Sequence, residues 1–146
     1  MNTSEELHAL CLNITEKLHS ISEKDAEKPL AEGKWSLKEV IGHLIDSATN
    51  NHQRFVRAQQ TDKLVFPKYD QNEWVTIQNY HSVDWKTMIT LWSSYNQFLA
   101  HVISCIPKEK LNTPCFIEPS PEVTLGFLVT DYLDHLKHHL RIYKLV

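Results

Sequence analysis

Histidines are the residues of this sequence whose type and spacing suggest chemistry. The chain has 9 histidines among 146 residues, and three of them lie close together at His135, His138 and His139. On a helix, residues four apart project from one face about one turn apart, so His135 and His139 can bind a single metal ion. The Glu that follows the first His in zinc proteases is absent, because Leu136 stands there. Two imidazoles do not complete a site, and a third ligand has to come from another helix.

His43 is the candidate for that third ligand. It lies beside an apolar stripe in an earlier helical segment, and polar residues continue along its side of the helix. A polar row that borders a buried stripe indicates a lined cavity. The alternative interpretation is a buried structural histidine at His43 and a chance surface pair at His135 and His139. The polar row consists of Asp46, Ser47, Asn50 and Arg54.

The angle between helical positions separates His138 from His139. Successive helical residues are about 100° apart, so these two side chains cannot both point where His135 points. The apolar stripe of this helix continues through Leu136 and Leu140, and His139 lies next to both on the inward side. We therefore expect His139 to face inward and His138 to lie nearer the rim.

Apolar residues at helical spacing predict four long helices that position these histidines. Ser36 and Glu39 have the spacing of a capping box, and Pro107 ends the third helix. Long amphipathic helices joined by loops are typical of a helical bundle, so the predicted fold is an all-α four-helix bundle. The helices are predicted at about 4–21, 36–59, 85–106 and from near Thr124 to close to the C-terminus, and the first three have predicted N-caps at Thr3 or Ser4, Ser36 and Asp84.

The connections between these helices differ in length. Glu23–Gly33 is charged and is predicted to be a loop, and the proline-rich stretch before the fourth helix is predicted to be irregular. Thr61–Val83 is long for a connection, which is typical of functional loops or of short helices. Within it, Tyr69, Asp70 and Trp74 form a candidate lid over the site, with a packed structural loop as the alternative.

Composition limits the possible functions. Acidic residues (18) outnumber basic ones (15), which argues against a nucleic-acid partner. No apolar run approaches the roughly 18–20 residues of a membrane span, so no membrane partner is expected. The acidic N-terminus has no signal-peptide pattern, and the 3 widely spaced cysteines form no disulfide framework. We expect a cytoplasmic protein with a single helical bundle domain over residues 1–146.

The histidines belong to a longer pattern that runs through most of the chain. Its pieces are Trp35–Val40, His43–Ser47, Asn50, Arg54–Phe55, Tyr69–Asp70, Trp74, His135, His138 and His139. In this order and spacing, the chain resembles the DinB/YfiT-like superfamily of small metal-binding four-helix bundles. The resemblance is closest to the YfiT branch, which includes bacillithiol S-transferases and proteins assigned as metal-dependent hydrolases.

The resemblance implies a ligand set, a metal and an assembly. By position, the three ligands are His43, His135 and His139, and the expected cofactor is one divalent ion, zinc or nickel, with open coordination positions. The family fold has a long crossover connection, and its members are frequently homodimers that act on small molecules. No fourth protein ligand is evident, which fits an open reactive site better than a closed structural one.

Two reactions fit an open ion held by neutral imidazoles. A low-molecular-weight thiol can attack an electrophile as a metal-bound thiolate, or metal-bound water can hydrolyse an amide or ester. The resemblance favours an enzyme of the first kind, a thiol S-transferase, with Asp46, Asn50 and Arg54 as contacts for the thiol cofactor. Asp46 or Asp131 can instead accept a hydrogen bond from a ligand histidine. A non-catalytic metal-binding protein is the remaining hypothesis.

Overall fold

Six helices and three short strands make up the computed structural model, which describes residues 1–146. The helices are α1 (Thr3–His19), α2 (Glu23–Ala26), α3 (Leu37–Ala58), α4 (Gln71–Gln78), α5 (Trp85–Ser104) and α6 (Leu125–Ile142). The four long helices form a bundle in which α5 and α6 each contact both α1 and α3. Therefore α1 and α3 face each other across the diagonal, and so do α5 and α6. This arrangement confirms the predicted all-α four-helix bundle with its long crossover.

The predicted starts of three long helices are confirmed by their caps. The Ser36 side chain accepts a hydrogen bond from the Glu39 N–H, and the Glu39 carboxylate accepts one from the Ser36 N–H. The Asp84 side chain caps α5 by accepting from the Thr87 N–H, and the Thr124 side chain caps α6 by accepting from the Phe127 N–H. Each cap satisfies an N–H group that a helix start otherwise leaves unpaired.

The start of α1 differs from the prediction. Its N-cap is Asn2, whose side chain accepts from the Glu5 N–H while the Glu5 carboxylate accepts from the Asn2 N–H. Asn is as good an N-cap as Ser and a better one than Thr, and Glu5 stands at the capping-box distance from Asn2. The predicted caps at Thr3 or Ser4 are therefore wrong by one or two residues.

The predicted loop after α1 contains a short helix. Helix α2 begins after Ser22, whose side chain accepts from the Asp25 N–H. It is tied to α3 by the buried Lys38, whose ammonium group donates to Glu23 and to Glu27 at 3.2 Å each. A local cap therefore starts this short helix, and a long-range ion pairing ties it to α3.

A three-stranded sheet joins the C-terminal end of α3 to the N-terminal end of α6. Strand β1 (Leu64–Pro67) pairs in parallel with β2 (Pro114–Glu118), and β3 (Val123–Thr124) pairs antiparallel with β2. The prediction that the proline-rich stretch is irregular is therefore wrong for β2 and β3. A parallel pair has no local turn signal, because its partners are distant in sequence.

The connection after α3 and the connection before α6 are joined by this sheet. Residues 61–83 hold β1, α4 and a 3₁₀ turn at Tyr80–Ser82, in agreement with the expectation that so long a connection carries short elements. Thr124 belongs to β3 and also caps α6, so the sheet fixes where α6 begins. None of the helices combines the length and apolar character that a membrane span requires.

Candidate metal centre

Three histidine side chains converge between α3 and α6. The Nε2 atoms of His43 and His135 are 3.3 Å apart, and those of His135 and His139 are 3.1 Å apart. One nitrogen from each of the three rings lies within 4.8 Å of the other two. Nitrogens bound to one tetrahedral zinc ion at roughly 2.0–2.1 Å are themselves about 3.3 Å apart. The three rings are therefore spaced as the ligands of a single divalent ion would be.

Helix α6 presents two of these rings from one face. Leu136 and Leu140 are buried, and His135 and His139 are half-buried beside them. His138 is exposed, with its ring centroid 5.4 Å from that of His139. The structure thus places His138 at the rim and outside the cluster, as the helix geometry predicts.

Helix α3 presents the third ring from a fully buried position. His43 has a relative exposure of 0% and lies between buried neighbours on both sides. Gly42 beside it has a packing role, because a Cβ atom there would lie 2.2 Å from the ring of Tyr80. The missing side chain lets Tyr80 pack directly on α3, next to the metal-binding face.

Trp35 covers the ring of His43. The two ring centroids are 5.1 Å apart, and the Trp35 carbonyl accepts a hydrogen bond from the Tyr143 hydroxyl at 2.7 Å. Trp35 therefore shields His43 from water. The Trp35 backbone is in turn held by Tyr143, close to the C-terminus.

Burial lowers the pKa values of all three imidazoles. Loss of hydration, with smaller contributions from His135 and His139, lowers the pKa of His43 to about 3. Burial, with smaller electrostatic contributions from His135 and His138, lowers the pKa of His139 to about 4. Burial, with a smaller contribution from His138, also lowers the pKa of His135. The rings are thus neutral at neutral pH, which is the state that binds a metal ion. The donor set fits a divalent cation.

The cluster contains no carboxylate or thiol. His43, His135 and His139 are the one group of three or more His, Cys, Asp or Glu side chains that could hold an ion together. The Nδ1 atom of His43 is buried and has no hydrogen-bond partner. Three neutral ligands leave the full charge of a divalent ion uncompensated, so anionic ligands from outside the chain are favoured at its open positions.

Asp46 is buried and contacts the end of α4 and the 3₁₀ turn that follows it. Its Oδ1 atom accepts from the Tyr80 hydroxyl at 2.6 Å and from the Gln78 amide at 2.8 Å. Burial raises the pKa of this carboxyl, although the two hydrogen bonds oppose the rise. The histidine nitrogens bond to one another or to other groups and not to Asp46. Asp46 therefore ties α3 to residues 78–80 and does not orient a histidine.

Of the three residues predicted to contact a thiol cofactor, Arg54 faces open space. A cavity of about 170 Å³ extends from His135 to Arg54, and a larger one of about 680 Å³ continues outward from Arg54. Asp46 and Asn50 line neither, and the Asn50 amide donates to the Asp46 carbonyl oxygen at 2.9 Å within α3. The smaller cavity is lined by Ser47, Asn51, Arg54, Tyr69, Asp131, Tyr132 and His135.

Tyr69 is part of the site, although the sequence left its role open. It lines both cavities, and its ring lies 5.1 Å from that of Trp74. Burial raises the pKa of the Tyr69 hydroxyl, so it is a neutral donor toward the cavity at physiological pH. Tyr80 and Gln78 were not anticipated, and the signal that points to them is Gly42, an unfavourable residue inside a helix.

Known proteins of similar sequence carry names that mention metals. The sequence profile of the DinB superfamily matches residues 7–143. A protein of Oceanobacillus iheyensis named "putative metal-dependent hydrolase" is 24% identical over 125 residues, which are 86% of this chain and 72% of that protein. A second protein of that organism with the same name is 25% identical over 141 residues, which are 96% of this chain and 79% of the other.

Solved structures share the fold. YfiT from Bacillus subtilis, described as a probable metal-dependent hydrolase with an unusual four-helix bundle topology, has a TM-score of 0.87 at 17% identity, over 98% of this chain and 83% of that one. A mycothiol-dependent maleylpyruvate isomerase has a TM-score of 0.73 at 12% identity, over 94% of this chain and 59% of that one. The superfamily profile spans nearly all of the sequence, and the bundle has the topology that the resemblance implied. The chain therefore belongs to the DinB superfamily.

Proposed function

We propose that this protein is a metal-dependent enzyme that joins a low-molecular-weight thiol to an electrophile. The observation that carries the proposal is the convergence of three neutral imidazoles with no carboxylate among them. A divalent ion, when bound there, keeps a coordinated thiol in its nucleophilic thiolate form at neutral pH. His43, His135 and His139 hold the ion, and zinc or nickel is the expected metal because imidazole suits both.

The lack of a carboxylate within the three-histidine cluster itself favours thiol transfer over hydrolysis. Hydrolysis needs a positioned base for the water proton, and in zinc proteases a Glu beside the ligands does this. An ion held by His43, His135 and His139 would lower the pKa of a bound thiol, whose proton would pass to solvent water, so the transfer to an electrophile would need no base from the chain. In that step the sulfur forms a bond to the electrophilic carbon, and the leaving group departs with the electron pair of the bond that breaks.

The cavity between α3 and α6 receives the rest of the thiol in this proposal. It opens beside His135 and is walled by hydroxyl and amide side chains from Ser47, Asn51 and Tyr69. Tyr132, at its inner end, donates to the buried Asn96 and is thereby held in place. A fixed wall of this kind orients a bound molecule without taking part in the reaction.

Hydrolysis through metal-bound water is the second candidate function, because the similar proteins of Oceanobacillus iheyensis are named for it. The mycothiol-dependent isomerase of similar fold supports the thiol proposal instead. The two candidates differ in one requirement: thiol transfer consumes a thiol, whereas hydrolysis proceeds without one.

A paired assay separates these functions. Protein loaded with zinc or nickel is incubated with 1-chloro-2,4-dinitrobenzene and a thiol panel of N-acetylcysteine, cysteinylglycine and glutathione, and chloride release is measured. p-Nitrophenyl acetate without thiol is the parallel substrate. We expect metal-dependent chloride release that requires thiol and is lost in His135→Ala. Ester hydrolysis that is metal-dependent and thiol-independent, with no chloride release, would replace the proposal by the hydrolase.

The same samples test a purely structural role for the metal. If the ion only stabilises the bundle, chelation lowers the melting temperature and neither substrate turns over. That result, across the whole panel and with both metals, contradicts an enzymatic function. His138→Ala serves as the matched control, because it removes an imidazole one residue from the cluster without removing a ligand.

A further inference from the structure

A row of polar side chains links the three-histidine cluster to Arg54. His43 and Arg54 are eleven residues apart on α3, which is about three turns, so they lie on the same face. Their Cα atoms are separated by roughly 16 Å along the helix axis, and helical side chains lean toward the N-terminus, which directs Arg54 back toward the cluster. Asp131 and His135, one turn apart on α6, line the cavity opposite.

Arg54 is a cation without a partner. No carboxylate of the chain forms an ion pair with it, and its Nε atom is buried with no hydrogen-bond acceptor. The guanidinium lies 5.4 Å from the ring centroid of Phe66, which supports one face of the group and leaves its edge free. A buried donor without an acceptor is costly, and a guanidinium presents five N–H groups in a planar fork. The chain therefore provides no ion-pair partner for Arg54, and an anion from outside can take that place.

The other charges of the cavity limit what this anion can be. Lys68 adds a second positive charge at the exposed mouth. Asp70 is already used as the cap of α4, where it accepts from the Glu73 N–H at 2.9 Å, and Asp131 lies on the α6 wall. Two carboxylates near two cations disfavour a dianion such as a phosphate monoester and favour a singly charged carboxylate, which the guanidinium fork matches in shape.

We propose that Arg54 binds a carboxylate of the small molecule that reacts at the three-histidine centre. The thiols that this site takes are then those with a carboxylate several bonds from the sulfur, so that the sulfur reaches the cluster while the carboxylate reaches Arg54. The inference rests on the proposed function for the identity of the reacting group. It names the substrate class that the proposed function leaves open.

The test measures binding rather than turnover. The probes are N-acetylcysteine, N-acetylcysteinylglycine and N-acetylcysteinyldiglycine, each paired with its neutral C-terminal amide, and the protein is loaded with cobalt(II). Dissociation constants come from calorimetry, and the sulfur-to-cobalt absorption band reports the thiol at the metal. We expect at least one acid to bind about tenfold or more tightly than its amide, since a charge-assisted hydrogen bond contributes about 1.5–3 kcal/mol.

Arg54→Met should abolish this preference and leave the affinity for the amides unchanged. Arg57→Met is the matched control, because it removes the same charge from an exposed position of α3 that bonds only to Gln53. Equal binding of acids and amides by the unaltered protein, or a preference that survives in Arg54→Met, would overturn the proposal. Stronger competition by inorganic phosphate than by acetate would overturn the assignment to a carboxylate.

A further arm distinguishes failure of this inference from failure of the proposed function. N-acetylserylglycine and its amide lack the sulfur and test the carboxylate contact alone. If no cysteine peptide produces the absorption band but the serine acid still binds in an Arg54-dependent manner, thiol chemistry is wrong and the carboxylate site stands. If the band forms equally with acids and amides in both proteins, the thiol chemistry stands and the carboxylate site is wrong.

Discussion

Helix α3 carries a buried cation, Lys38, near one end and a half-buried cation, Arg54, near the other, and their partners in the fold differ. Lys38, near the N-terminal end, is 1% exposed and donates to Glu23, to Glu27 and to the carbonyl oxygen of His81. Arg54, near the C-terminal end, forms no ion pair, and its Nε atom has no hydrogen-bond acceptor. One cation is fully partnered within the fold, and the other is not.

The same contrast holds for the rest of α3. Four buried side-chain atoms of the protein lack hydrogen-bond partners, and three of them belong to α3: His43 Nδ1, Asp46 Oδ2 and Arg54 Nε. Buried polar groups in folded proteins are almost always paired, so this concentration of unpaired atoms sets α3 apart from the rest of the protein. Lys38 is paired within the fold, whereas His43 and Arg54, which face the metal centre and the cavity beside it, each keep an unpaired nitrogen.

The largest expected effect is on metal content. His43→Ala, His135→Ala and His139→Ala each remove one ligand of three, and we expect each to lose most of the bound metal. His138→Ala should retain about one ion per chain, because its ring lies outside the cluster. Metal per chain is measured by elemental analysis after dialysis. Loss of metal in His138→Ala with retention in His139→Ala would reverse the assignment, and a stoichiometry near two would require a second site.

The next effect is on stability and concerns the partnered cation. Lys38→Met removes the ammonium from Glu23 and Glu27 and leaves the His81 carbonyl oxygen without its donor. We expect the free energy of unfolding to fall by about 2–3 kcal/mol, below the full cost of breaking a buried pair because both carboxylates are partly exposed. Urea unfolding measures the change, and the exposed Lys34→Met is the control. Unchanged stability in Lys38→Met would show that this ion cluster does not hold α2 on the bundle.

A smaller effect is expected from pH on the metal-free protein. Above about pH 6.5 the imidazoles are neutral in both the folded and the unfolded chain, so they make no difference to stability. Below it the unfolded chain binds protons, whereas the pKa values of His43, about 3, and His139, about 4, keep the folded rings neutral. Stability should therefore fall as the pH drops from 7 to 5, by up to about 1.4 kcal/mol per pH unit for each such ring.

Urea unfolding at pH 7, 6 and 5 checks this slope. The double variant His135→Ala/His139→Ala should flatten it, whereas His8→Ala, at an exposed position of α1, should not. A slope that is the same in the double variant and in the unaltered protein would place its origin outside the cluster.

Sequence patterns predicted those parts of the fold that depend on local contacts. The capping box at Ser36 and the caps at Asp84 and Thr124 are contacts over three residues, so the sequence alone carries them. The i, i+4 pair His135 and His139 is local in the same sense, and helical geometry was enough to place His138 at the rim. Bringing His43 to that pair requires knowing that α3 lies beside α6, which the apolar stripes do not specify.

The elements that the sequence did not predict depend on distant partners. Helix α2 is held by Lys38, and β1 finds its parallel partner β2 about 50 residues further along the chain. The expected contacts of Asp46 with a thiol followed from its place on α3, but Tyr80 and Gln78 arrive from another element and occupy its Oδ1. Arg54 forms no ion pair in the fold, although Asp131 lines the same cavity.

The smallest expected effect is on the stability of the Arg54 variant. Arg54→Met removes a guanidinium that pairs with no acceptor and replaces it with an apolar chain of similar length beside Phe66. No ion pair is lost, and the Met side chain can replace the contact with Phe66, so we expect the free energy of unfolding to change by less than about 1 kcal/mol. Urea unfolding of Arg54→Met beside Lys38→Met compares the two cations directly. A loss as large as that of Lys38→Met would mean that Arg54 is a structural residue, and the distinction between the two ends of α3 would be wrong.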